Sequence, residues 1–340
     1  MNPLRSGLAA AALCFASLAQ AVVSLPALNV DTTNITVSGL SSGGVMAVNM
    51  GYAYSATFRG VGVFAGTPYL CQYIYPYANC QNNNTISPSM LATMQSEIDA
   101  WSGNAIDDKS NVTTQKVYLF VGTKDSTVGP NPMLALQTQY LNNGVPQVPL
   151  VQASNAAHVF PTDFSVFGDN PCGTSLTPYI ANCKYDGAKA VLSQFYGSLQ
   201  PRNNAPAASN YVEFNQREFT SNPGMGDTGW VYVPAACAAG AQCKLHVAFH
   251  GCTQAYTSIG DKFVKNTGYT RWADTNNIIV LFPQAHADAN SYSTVASGVQ
   301  NNANGCWDTV GFYGADYAQK SGVQLSAVKA MVDRLVSGSH

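Results

Sequence analysis

The run TVSGLSSGGVMAVNM, residues 36–50, changes character at its middle. β-branched residues precede the centre, an apolar helix-like run follows it, and Gly39-Leu40-Ser41-Ser42-Gly43 joins the two. A chain that passes from strand to helix in so few residues brings backbones together where a Cβ would clash, so glycines are needed there. The middle serine is left projecting from the strand's end beside a helix N-terminus. The spacing predicts Ser41 as an exposed nucleophile, with the N–H of Ser42 facing an oxyanion that forms beside it. A plain Ser/Gly turn has the same letters; the flanking strand and helix distinguish this one.

The rest of the chain alternates in the same way. FRGVGVFAG (58–66), QKVYLFVG (115–122) and VPQVPLVQAS (145–154) read as strands, with a helix over PMLALQTQYL and another near 187–199. QPRNNAPAASN (200–210) reads as a linker. Beyond it, YVEFNQREF and TGWVYVP read as antiparallel strands, and KLHVAFHG and NIIVLFPQA as buried ones with a helix between them. A final helix over 319–337 puts Leu325, Val328, Met331, Val332 and Leu335 on one face. Strands and helices in turn imply an α/β fold, a mostly parallel central sheet with helices on both faces. Neither half has enough strands for a complete sheet, so residues 22–340 are expected to form a single domain built from both.

Residues 1–21 have the pattern of a secretory signal peptide: Arg5, a short apolar run, then Ala19-Gln20-Ala21 as a cleavage site. No later stretch is long enough to cross a membrane. A formal net charge of −2, with 10% of residues charged, excludes the basic footprint of a nucleic-acid binder. Such a weakly charged coat suits contact with a neutral, water-poor surface. Of nine cysteines, Cys14 falls in the leader and eight remain, for which an exported protein implies disulfides. Closeness in sequence favours Cys71–Cys80, Cys172–Cys183 and Cys237–Cys243, which leaves Cys252 for Cys306. A metal site is disfavoured because no C-x-x-C pair occurs and the histidines are scattered.

A serine hydroxyl needs a base, and the base needs a carboxylate to hold its tautomer. Chains of the α/β-hydrolase kind supply both after later strands, in the order Ser, Asp, His. TKDSTVGP places Asp125 just past the strand KVYLFVG, and NAAHVFPTDF places His158 after VPLVQAS. Alone, Asp125 would be an ordinary turn aspartate and His158 a solvated loop histidine; the ordered triplet sets them apart. His246 lies inside a strand, His286 belongs to the other half, His340 is terminal, and His250 is expected to fix a turn by its ring.

One feature breaks the usual order. HVAFHGCTQ has the form of an oxyanion-loop strand, which normally precedes the nucleophile but here follows it by some two hundred residues. Circular permutation accounts for this, because chain ends lie close enough in most domains to be moved. With SGLSSGG, GVFAGTPY, HVFPTDF, TPYIANCKYDGA, LHVAFHGCTQ, NTGYTRWADTNNIIVLFPQA and NGCWDTVGFYG, the chain resembles the secreted polyhydroxybutyrate depolymerases of the circularly permuted, single-domain α/β-hydrolase type.

The resemblance implies a Ser41–His158–Asp125 triad, an oxyanion hole from the amides of Ser42 and Cys252, and Trp307 in the substrate crevice. It implies a monomer without cofactor or metal that cuts solid or oligomeric poly(3-hydroxybutyrate) outside the cell. The family has tryptophans where this chain has Thr309 and Phe312, so its crevice is expected to differ in shape. A Cys252–Cys306 bond would staple the oxyanion turn beside Trp307, whose indole would then cover an acyl unit or simply pack in the core. Tyr73 and Tyr75 of YLCQYIYPYANC are candidates for gripping polymer. The same triad would serve a feruloyl or acetylxylan esterase or a cutinase-like polyesterase, and an exported binding protein on this fold is the non-enzymatic alternative.

Overall fold

The computed structural model describes residues 22–339. The signal-peptide expectation for residues 1–21, with Cys14, lies outside the described residues. Among the described residues thirteen strands occur in chain order: β1 Val30–Leu40, β2 Gly60–Phe64, β3 Lys116–Gly122, β4 Leu150–Ala153, β5 Phe160–Thr162, β6 Asn170–Pro171, β7 Ile180–Asn182, β8 Tyr211–Asn215, β9 Thr228–Tyr232, β10 Cys243–Phe249, β11 Ile278–Phe282, β12 Asp288–Ser293 and β13 Val299–Asn302. Eight of them form one sheet in the order β4-β3-β2-β1-β10-β11-β9-β8. The run from β4 to β11 is parallel, and β9 and β8 close the far side as antiparallel strands.

The two halves of the sequence therefore meet at the β1–β10 pair, in the middle of the sheet. QPRNNAPAASN leads into β8 of that same sheet and is tied down on its way, Asn203 N–H donating to Arg271 O at 2.9 Å. The chain's two ends also meet: Leu28 N–H donates to Leu335 O at 2.8 Å, and Ser339 Oγ donates to Val30 O at 2.8 Å. This neighbourhood is what a permuted chain requires.

Both faces of the sheet are buried, which is why its strands are continuous apolar runs rather than alternating ones. Val117, Leu119 and Val121 of β3 join one core, while Tyr118 and Phe120 join the other. The C-terminal helix Val323–Val336 buries Leu325, Val328, Met331, Val332 and Leu335 in the first of these cores. The fold is a circularly permuted α/β-hydrolase. Because β1, β3, β4 and β10 run in parallel, their carboxyl ends share one edge, and the loops that leave them can face one another.

The sequence pattern missed three elements. A helix at Pro88–Trp101 starts with Ser87 accepting from Met90 N–H. A three-stranded sheet, β5-β7-β6, and a hairpin, β12-β13, lie outside the main sheet. β5, β6, β7 and β13 have four residues or fewer, too few for a period to show, and β12, DANSYS, carries no run of β-branched or apolar residues.

Candidate active site

Ser41 occupies the turn between β1 and the helix Ser42–Ala53, called α1. Its φ of 58° and ψ of −123° fall in a region that a side chain rarely adopts. The glycines on either side explain how the turn closes. A Cβ on Gly39 would sit 2.2 Å from Gly43 O, and one on Gly43 would sit 2.3 Å from His250 O. So Gly39 lets strand and helix touch, and Gly43 lets α1 press against the end of β10. Such strain costs on the order of 1–3 kcal/mol and is held in place by the surrounding packing.

Asp125 follows β3 by three residues. Its Oδ1 accepts the N–H groups of Thr127 and Val128, each at 2.9 Å, which aims Oδ2 at His158 Nδ1, 2.7 Å away. Asp125 is 3% and His158 5% exposed, so the pair sits in a low-dielectric setting where the bond fixes the ring strongly. With Nδ1–H committed to the carboxylate, Nε2 is the free lone pair. The loop carrying His158 is held from both sides: His158 N–H donates to Ser175 Oγ at 3.0 Å, and Ala157 N–H to Cys172 O at 2.8 Å. The Cys172–Cys183 disulfide and the β5-β7-β6 sheet lie directly behind it.

Ser41 and His158 line one cavity of about 290 Å³, together with Tyr77, Thr127, Tyr179 and Cys252. A second cavity of about 210 Å³ also opens on Ser41 and is walled by Ser42, Val45, Gln81, Thr309, Val310 and Phe312. The Ser41 turn thus lines both chambers. Ser41 Oγ makes no hydrogen bond among the described residues, a usual condition for a site that tightens only around substrate.

Two backbone N–H groups beside Ser41 have no partner among the described residues. Ser42 is the first residue of α1 and has no intrahelical acceptor for its N–H. Cys252 lies in the turn after β10, and its N–H likewise has no partner among the described residues. That turn is held rigidly. Gly251 N–H donates to Gln254 Oε1 at 2.7 Å, Thr253 N–H to Asn304 O at 2.7 Å, and Cys252 is bonded to Cys306. His250 is buried between a donor and an acceptor: Nδ1–H reaches Gly251 O at 2.7 Å, and Nε2 accepts Ala285 N–H at 3.0 Å. Burial lowers its pKa to about 4, so the ring is a neutral strut.

Trp307 is not in the crevice. It is fully buried, its Nε1–H donates to His250 O at 3.0 Å, and its ring packs edge-on against Phe249. The sequence expectation of a substrate-covering indole is corrected: Trp307 backs the turn after β10, and Thr309, Val310 and Phe312 line the cavity instead. Asp308 shapes that wall. Its carboxylate accepts four backbone N–H groups, from Val310, Gly311, Phe312 and Tyr313, at 2.6–3.2 Å. Desolvation raises its pKa to about 6, even though those donors pull the other way.

A similar shift affects the tyrosine-rich loop. Tyr73 packs edge-on against Trp101, whereas Tyr77 is exposed and lines both chambers. The alternating tyrosines gave no sign of which would face the crevice. The remaining disulfides, Cys71–Cys80 and Cys237–Cys243, brace the loop bearing Tyr77 and the start of β10. Among the described residues no cluster of His, Cys, Asp and Glu could hold a metal ion.

A second serine–histidine contact lies deeper. Ser38 Oγ and His246 Nε2 are 2.8 Å apart, but both residues are fully buried within the sheet, away from either chamber.

Comparison with known proteins gives a consistent set of relatives. The chain is 46% identical over 321 residues to a polyhydroxybutyrate depolymerase of Talaromyces funiculosus, an alignment covering 94% of each chain. It is 47% identical to a poly(3-hydroxybutyrate) depolymerase of Delftia acidovorans, covering 97% of this chain and 65% of that longer one. No family model matches. Among solved structures, the PHB depolymerase from Penicillium funiculosum superposes with a TM-score of 0.89 at 45% identity, covering 94% of this chain and all of that one. A serine-to-alanine PHB depolymerase variant complexed with an R3HB trimer gives a TM-score of 0.90 at the same identity and coverage.

Proposed function

The chain belongs to the polyhydroxybutyrate depolymerase family, and from that premise we propose that Ser41, His158 and Asp125 hydrolyse the ester bonds of poly(3-hydroxybutyrate). The chain is a carboxylic ester hydrolase acting on a polyester. The observation that carries the residue assignment is one juxtaposition: Ser41 shares one chamber with His158, which Asp125 holds, and with Cys252, while Ser42 lines the second chamber that opens on Ser41, and the N–H groups of Ser42 and Cys252 have no partner among the described residues.

Ser41 Oγ attacks the ester carbonyl as His158 Nε2 takes its proton, and the Asp125 carboxylate stabilises the imidazolium. The carbonyl oxygen becomes an oxyanion between the amides of Ser42 and Cys252. Each such donor is worth about 3 kcal/mol of barrier, because it is already oriented when the charge appears. The tetrahedral intermediate expels the 3-hydroxyl oxygen of the next unit, which takes the proton from His158. Water activated by the same imidazole then hydrolyses the acyl-enzyme and frees Ser41. The two chambers suit this sequence: an ester inside a chain has polymer on both sides of its carbonyl, and each side finds a cavity. Every step is carried by side chains and amides of this chain.

Secretion, a single domain and a monomeric state belong to the same reading. The weak charge of the chain and its four disulfides support an extracellular enzyme that meets a neutral solid. The test is product analysis after incubation with purified poly(3-hydroxybutyrate). The expected result is clearing of the suspension with release of 3-hydroxybutyrate oligomers or monomer. Release of ferulate or acetate from plant polysaccharide esters, with no clearing, would overturn the substrate assignment.

A further inference from the structure

Charge is distributed unevenly along this chain. No Lys, Arg, Asp or Glu occurs between residues 60 and 96, or between 126 and 162. The fold brings these two stretches side by side. Asn82 N–H donates to Thr127 O at 2.9 Å and Asn83 N–H to Val128 O at 2.8 Å. Asn131 N–H and Nδ2–H then reach Asn83 Oδ1 and O at 2.9 and 2.8 Å.

Each stretch has one end at the catalytic chambers and the other at a separate groove. Tyr77 and Gln81 border the chambers, and Thr85 and Ile86 border the groove; Thr127 and Asn131 do the same on the second stretch. The groove, about 690 Å³, runs between the helices Pro88–Trp101 and Pro130–Asn142. Leu91, Ala135 and the 42%-exposed Leu134 supply its apolar surface, and the exposed side-chain amide of Asn142 supplies hydrogen-bond donors. Its one charged lining residue, Asp99, is already paired with Lys109. Four residues from Gln81 to Thr85 span at most about 14 Å, so the linings of crevice and groove lie close to each other.

We propose that this groove is a second binding site for the polyester itself, a docking surface that holds uncharged polymer beside the crevice. The proposal rests on the polyester reading of the active site. A solid aliphatic polyester offers methyl and methylene groups together with ester carbonyls that accept hydrogen bonds but carry no charge. Exposed leucine with an asparagine amide donor matches that surface. A charged side chain facing it would be stripped of water with nothing to pair with, which is costly and accounts for the exclusion of charge from both stretches. Continuity with the crevice points to polymer rather than to a protein or a charged lipid surface.

Opposite charges separate these occupants. Leu134→Glu and Thr138→Lys replace exposed helix positions on the groove, and Ala236→Glu adds a charge at an exposed site near the start of β10, at the other end of the strands. Adsorption to poly(3-hydroxybutyrate) granules is measured in a Ser41→Ala background, so that the granules persist. Both groove variants are expected to bind about ten-fold more weakly whatever the sign of the charge, and Ala236→Glu to bind as the parent does. With Ser41 restored, the groove variants should hydrolyse a soluble p-nitrophenyl ester at the parental rate, which also shows that they fold. Parental adsorption by both groove variants, strengthening by one sign, or equal weakening by Ala236→Glu would overturn the proposal. In that event, clearing by the wild-type enzyme would leave the substrate assignment standing. A wild-type protein that neither binds nor clears granules overturns both.

Discussion

Two serine–histidine pairs take their serine from β1 or the turn that follows it, and they behave in opposite ways. Ser38 and His246 are hydrogen-bonded inside the sheet, with Thr36 Oγ1 on the other ring nitrogen at 2.8 Å and Tyr269 OH on Ser38 Oγ at 2.6 Å. Ser41 and His158 face solvent chambers and are not bonded to each other at rest. A Ser–His hydrogen bond is therefore a poor guide to a nucleophile. What distinguishes the outer pair is access, together with a carboxylate on the far side of the ring. The inner ring has only hydroxyl partners, and burial drives its pKa down to about 3, so it cannot hold the proton that a general base must take up. The inner network has a different use. It bridges β1 and β10, the strands that deliver Ser41 and Cys252, with Thr36 opposite His246 in the register.

The largest expected effect separates the pairs directly. Ser41→Ala should lower ester hydrolysis on the order of 10⁴-fold or more and abolish labelling by a fluorophosphonate. Ser38→Ala should keep both; labelling that survives in Ser41→Ala but disappears in Ser38→Ala would reverse the assignment. Asp125→Asn comes next. An amide in place of the acceptor oxygen favours the wrong tautomer of His158, and kcat should fall about 10⁴-fold while the fold persists by circular dichroism. A loss of less than ten-fold would remove Asp125 from the triad.

Smaller effects concern stability. Ser38→Ala leaves His246 Nε2 and Tyr269 OH short of a partner, at a cost of about 1–3 kcal/mol in denaturant unfolding, with kcat on a soluble ester close to wild type. Acid should sharpen the contrast. The folded protein keeps His246 and His250 neutral, with pKa values of about 3 and about 4, whereas the unfolded chain protonates both near 6.5. Unfolding therefore takes up protons, and Tm should fall as pH drops from 6.5 towards 4. Asp308 opposes this, since its carboxyl gains a proton near 6 when folded but near 3.8 when unfolded. Asp308→Asn should make the acid decline steeper; a decline that becomes shallower would contradict the sign assigned to that group.

Much of the site was legible along the chain, for a physical reason. Residues at the carboxyl ends of parallel strands converge whatever their separation, so Ser41, Asp125 and His158 could be located from the strand that precedes each. Three of the four disulfides among the described residues join cysteines 6 to 11 residues apart, because short loops leave few other partners within reach, and Cys252–Cys306, 54 residues apart, follows by elimination. Other features had no local signature. Tyr73 and Tyr77 have similar neighbours in sequence, yet one packs on Trp101 and the other lines the crevice. Trp307 sits beside the stapled turn as the spacing suggests, but on its inner side.

Residue types and their periods determined the α/β layering, the sharp strand-to-helix turn and the weakly charged surface, since these depend on contacts within a few residues or on composition alone. Only the tertiary structure decided which aromatic walls the crevice, and that two charge-free stretches lie side by side. Those outcomes depend on which surfaces press together across the sheet, and a side chain's own neighbours in sequence carry no information about that.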